Sequence, residues 1–140
     1  MIPGGPGKEE KMIGLYVNNN TPERFAFQIV FGKKTIETRT RRAAKAFLSS
    51  GIKPGDRIAI VAGGHVQGYA TFQGVKNYNS RADFMDDYSA HKVRTGSRFD
   101  YKPDTGKVGL ILSDPECAKF EDYMPKVQRT GGYTWTRIDR

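Results

Sequence analysis

The sequence predicts an α+β protein built on a small, strongly curved sheet or barrel. Three observations carry that expectation. Short apolar stretches with period-two alternation recur along the chain. A few short amphipathic segments are inserted among them, without the regular β–α–β alternation of a parallel sheet. No G-x-G-x-x-G or P-loop pattern occurs, so the sheet is not expected to be a doubly wound nucleotide-binding one.

The first strand is read in KMIGLYV, where Ile13, Leu15 and Val17 alternate toward one face. TPERFAFQIVFG then predicts a short helix. Thr21 serves as N-cap, Pro22 suits the first helical position and Glu23 favours the positive helix end. Phe25 and Ile29 fall at i,i+4, and Gly32 provides the stop. TIETRT alternates and is rich in β-branched residues, so it reads as a strand. RRAAKAFLSSG predicts a second helix ending at Gly51, and IKPGD a tight turn through Pro54 and Gly55. RIAIVAGG and HVQGYATFQGVKNY are two strands separated by glycines. SRADFMDDYSAHKV predicts a helix capped by Ser80, with Phe84 and Tyr88 on one side. RFDY and KVGLIL flank KPDTG as a hairpin, and GYTWTRI is the closing strand.

At 140 residues the chain fits a single domain, residues 12–140, with residues 1–11 as a flexible tail. Cys117 is the only cysteine, which excludes an internal disulfide and a cysteine-based zinc cluster. His65 and His91 lie too far apart to form a local metal motif, so neither metal nor cofactor is expected. The N-terminus lacks the apolar core of a signal peptide, and no segment approaches a membrane span, which predicts a cytoplasmic protein. A formal charge of +8 and a pI near 9.7 favour polyanionic partners: RNA, DNA or nucleotides.

The densest chemistry lies in FGKKTIETRTRR, Phe31 to Arg42. Strand alternation puts Glu37 and Arg39 on one face, about 7 Å apart, with Ile36 and Thr38 on the other. A carboxylate accepts hydrogen bonds from exocyclic amines such as cytosine N4, and a guanidinium grips phosphate or a carbonyl edge. Lys34 adds a mobile charge and Lys33 another. An ordinary ion pair on a solvated strand explains the same residues, at about 0–1 kcal/mol. Arg41 and Arg42 begin the next helix.

The order of these segments carries a resemblance. A short helix ending in glycine is followed by GKKTIETR, then GDRIAI, then GYATF, with HKV and GGYTWTRI further on. This resembles the ASCH domain of the PUA-like superfamily, whose hallmark is G-x-K-x-x-E-x-R, over roughly Ile13 to Ile138. The resemblance implies a small PUA-like β-barrel with short helices packed around it, and a cleft that binds RNA or a nucleotide. Gly32, Lys34, Glu37 and Arg39 match the hallmark, while Lys33 and Thr35 lie inside it.

Some ASCH-like proteins are enzymes, which leaves hydrolase activity as the alternative to a binding module. One branch resembles N4-acetylcytidine amidohydrolases that use a lysine base and a threonine nucleophile. Lys34 matches the base, but Glu37 occupies the nucleophile's position. Asp86 and Asp87 are loose matches to a later proton-donating glutamate. A ribonuclease branch implies a base for the 2′-hydroxyl and an acid or cation at the phosphate, with Lys34, Glu37, Arg39 and His91 as the candidates for these roles. His91 fits a helix-capping or buried role better. For base stacking the candidates are Tyr69, Phe72, Tyr78 and Trp135. Phe72 and Trp135 read as packing residues, whereas Tyr78, between Asn77 and Asn79, is expected to be exposed. Arg94 and Arg98, in RTGSR, either grip phosphate or line a solvated loop.

Overall fold

A computed structural model describes residues 11–123, 128–131 and 134–139. The expected tail over residues 1–11 lies outside that range except for Lys11, which opens β1 (Lys11–Tyr16). The elements that follow are α1 (Phe25–Val30), β2 (Ile36–Arg39), α2 (Arg41–Leu48), β3 (Arg57–Ala62) and β4 (His65–Tyr78). Next come α3 (Arg81–Asp86), α4 (Tyr88–His91), β5 (Lys107–Cys117), α5 (Phe120–Tyr123), β6 (Gln128–Gly131) and β7 (Trp135–Asp139).

The strands form one seven-stranded sheet in the order β2-β5-β4-β3-β1-β7-β6. Only β1 and β3 run parallel; the other neighbours are antiparallel. The α+β expectation therefore holds, but the barrel is corrected to an open sheet. Among the described residues, the edge strands β2 and β6 do not pair with each other. Register shifts in the β4–β5 and β3–β4 ladders mark bulges, which bend a strand without closing the sheet.

Alternation along β3 explains how both faces are covered. Ile58 and Ile60 enter the main core with Leu15, Phe47, Phe72 and Leu110, while Ala59 and Val61 join Met12, Val66 and Ile138 in a smaller cluster. Phe47 of α2 meets Phe72 of β4 edge to face at 5.5 Å, tying that helix to the sheet. The prediction that Phe72 is a packing residue agrees with its burial.

Three local expectations change. Helix α1 begins at Phe25, not at Pro22: Thr21 to Arg24 close a turn through an Arg24 N–H to Thr21 carbonyl bond. Arg24 takes the N-cap position with left-handed backbone (φ 51°). The single helix expected after Ser80 is two. Ser80 does cap α3 by accepting from the Asp83 N–H, but Asp87 breaks the run. Its carboxylate takes the Tyr78 hydroxyl at 2.7 Å and the Lys76 ammonium at 2.6 Å. The RFDY–KVGLIL hairpin does not form, since Asp100 holds its segment in a loop. That carboxylate accepts from Arg81 and from the backbone N–H groups of Gly96 and Tyr101. KVGLIL instead pairs with β4 and β2.

Candidate functional site

Edge strand β2 carries the site, and its flanks explain its position. Gly32 adopts φ 81°, left-handed backbone that lets the chain turn out of α1 and run toward β2. Thr40 caps α2 by accepting from the Ala43 N–H, so the strand ends one residue after Arg39. Between these stops β2 lies along β5, with Glu37 opposite Leu110 and Arg39 opposite Val108.

Lys34, Glu37 and Arg39 form one chain of contacts. The Lys34 ammonium lies 3.2 Å from Glu37 Oε1, and Arg39 Nη2 lies 2.9 Å from Glu37 Oε2. Lys34 is 1% exposed. Its Nζ also donates to the carbonyl of His91, at the end of α4, and sits 4.4 Å from the Phe25 ring centre. Burial pushes its pKa down, while Glu37 pulls it up. The ammonium is enclosed by these contacts and meets Glu37 from inside the protein. Arg39 is more open. Its Nη2 donates to the Tyr16 carbonyl, whereas Nε is buried and has no acceptor among the described residues.

Glu37, Thr38 and Arg39 form one wall of a narrow cleft of about 40 Å³, completed by Asn18, Phe25, Val93 and Phe99. That space suits the polar edge of a ligand, since a cavity for a whole drug-sized molecule runs to roughly 300 Å³ or more. Arg98 is exposed and stacks its guanidinium 4.7 Å from the Phe99 ring, which brings it to this cleft. Arg94 pairs instead with Glu23, at 2.8 Å. Lys33 is exposed and makes no ion pair among the described residues.

Tyr78 is corrected from an exposed stacking residue to a core one. It is 2% exposed, its ring meets Phe84 and His91, and its hydroxyl donates to Asp87. Burial and that bond raise its pKa. Tyr69 is half-buried against the smaller core cluster, and Trp135 packs against the main one. Asp87 is committed to Tyr78 and Lys76, and Asp86 is exposed.

His91 has the buried role. Its Nδ1 accepts from the Val93 N–H at 2.9 Å, so its Nε2 carries the proton and donates to the Phe84 carbonyl at 2.6 Å. Burial lowers its pKa, which keeps the ring neutral. The ring lies flat on Phe84, 4.0 Å between centres.

Lys107 is the residue that sequence reasoning missed. It opens β5 opposite Tyr78, is 7% exposed, and its ammonium makes no hydrogen bond or ion pair among the described residues. Burial lowers its pKa to about 8, with Glu37, Arg39, Lys34 and Asp100 all within electrostatic reach. The signal in the sequence was a lysine directly before the apolar run VGLIL; only the register of β5 against β2 reveals its neighbours.

The sequence matches no family profile and no curated protein. Its fold does match solved structures. A serine-to-alanine mutant of the ASCH protein from Zymomonas mobilis gives a TM-score of 0.61 at 20% identity, covering 89% of this chain and 86% of that one. A tyrosine-to-phenylalanine mutant of it gives 0.58 at 21% identity, covering 79% and 74%. The protein is thus an α+β chain with a lysine–glutamate–arginine chain of ion pairs at an edge strand. Its fold is that of the ASCH domain proteins, which its G-x-K-x-x-E-x-R motif resembles.

Proposed function

We propose that the protein binds RNA or a nucleotide at the Glu37–Arg39 cleft. The observation that carries this reading is the pairing of an acceptor and a donor at one narrow opening. Glu37 is held by Lys34 and Arg39, while Arg39 Nε has no acceptor among the described residues. Such a pair reads the polar edge of a base, or a base amine and a neighbouring phosphate. Phe99, with Arg98 stacked on it, offers an aromatic and cationic border. A net charge of +8 draws a polyanion toward the site.

The alternative reading, hydrolysis of RNA or of an N4-acetylcytidine-type amide, is less well supported by Lys34. A general base must reach the proton it removes, and the Lys34 ammonium is engaged by His91, Glu37 and Phe25. Glu37 would have to act on water at the cleft.

Titrating short single-stranded RNA against the folded protein over a range of salt tests the proposal, with DNA of the same sequence as competitor. Arg39→Ala is expected to weaken binding and to lower the slope of log K against log salt by about 1. Unchanged affinity and slope in a folded variant would remove Arg39 from the interface. Mass spectrometry of RNA and N4-acetylcytidine incubated with the protein reads the alternative directly; new products would establish it.

A further inference from the structure

Beside the cleft lies a wider cavity of about 220 Å³ that the motif does not account for. Met85 and Tyr88, from the ends of α3 and α4, line it, as do Arg94 and Asp100. Val93 lines both this cavity and the Glu37–Arg39 cleft, so the two openings share a wall.

Tyr88 is 46% exposed, as is Met85. The ring is not loose, because it meets His91 edge to face at 6.1 Å. A large aromatic surface held in place and left open to solvent is a platform for a flat ligand. Directly after Val93, Arg94 places a cation beside the shared wall. Its side chain is 62% exposed, and its partner is the single carboxylate Glu23. Glu23, 11% exposed, takes Arg94 through Nε at 2.9 Å and Nη2 at 2.8 Å, which leaves Nη1 of this exposed guanidinium for a phosphate contact. Asp100 does not oppose an anion strongly, since Arg81 and two backbone N–H groups already neutralise its carboxylate.

We infer that this cavity is a second base subsite, occupied by the nucleotide next to the one at the Glu37–Arg39 cleft. The base stacks on Tyr88, and the phosphate joining the two nucleotides crosses the Val93 wall beside Arg94. The ligand is then a single strand of at least two nucleotides. This rests on the proposed RNA-binding function, and it adds a length requirement.

The test compares a mononucleotide, a dinucleotide and a single-stranded hexanucleotide RNA, titrated against the full chain, the Tyr88→Ala variant and the Tyr88→Phe variant. The wild type is expected to gain affinity from one nucleotide to two. Tyr88→Ala should remove about 5- to 100-fold of that gain, as loss of one stacked base does, and Tyr88→Phe should retain it. A gain that survives Tyr88→Ala would overturn the subsite while leaving RNA binding intact. Absence of binding by every ligand at low salt would overturn the proposed function, and the subsite with it.

Discussion

A lysine buried without a partner leaves its mark on stability as a function of pH. The Lys107 ammonium titrates near 10.5 in an unfolded chain and at about 8 in the fold. Between those values the unfolded chain binds more protons, so raising the pH stabilises the protein; below about pH 8 the penalty is fully present. Lys34, also lowered by burial, acts in the same direction. Tyr78 acts in the opposite one once the unfolded phenol ionises near pH 10.0, because its folded pKa is raised. Urea midpoints are therefore expected to climb between pH 8 and 10, and Lys107→Met should flatten much of that climb. An identical climb in the variant would mean that Lys107 is hydrated and titrates normally. None of this was legible in the sequence. The hallmark residues Lys34, Glu37 and Arg39 could be named from spacing, but whether each faces a ligand depends on what encloses it. Lys34 is sealed by Phe25 and the His91 carbonyl, contributed by two other elements.

At the scale of the element, alternation and turn residues identified the strands well, because a half-buried strand writes its faces into the chain. Helix α2 was legible through its alanine-rich composition and its glycine stop, whereas its Thr40 cap was seen only in the fold. Partners were harder. KVGLIL was expected to pair locally with RFDY, yet Asp100 and its three donors hold RFDY itself in a loop. The short elements α5 and β6 were not foreseen, for four residues are too few to establish a period. One close approach sets how α1 sits on the sheet. A Cβ at Gly68 of β4 would stand 2.2 Å from the Glu116 carbonyl and 2.6 Å from Val30 of α1. Gly68→Ala is thus expected to cost about 1–3 kcal/mol, as overpacking does, read as a lowered midpoint of chemical unfolding. A midpoint equal to wild type would show that α1 and β5 yield without strain.

For the molecule as a whole, the acidic side of the stability curve depends on His91. Its folded pKa is lowered from the ordinary 6.5, so the unfolded chain binds the proton more readily as the pH falls through that region. Stability contributed by the neutral ring is present above pH 6.5 and lost below it. Asp87 and Asp100, lowered by their partners, add a further loss at more acid pH. Thermal melts should therefore shift downward between pH 6.5 and 5, ahead of the carboxylates, and a flat profile across that window would contradict the neutral ring. The open sheet has a different consequence. Strand β2 comes early in the chain, but the strand it pairs with, β5, follows β3, β4, α3 and α4. Lys34 and Arg39 likewise anchor on carbonyls of His91 and Tyr16, one far downstream and one upstream. Closing such long loops is slow in folding, so the motif exists as sequence well before it exists as a site. A nascent or truncated chain lacking β5 carries every hallmark residue but has no partner strand to hold them in register.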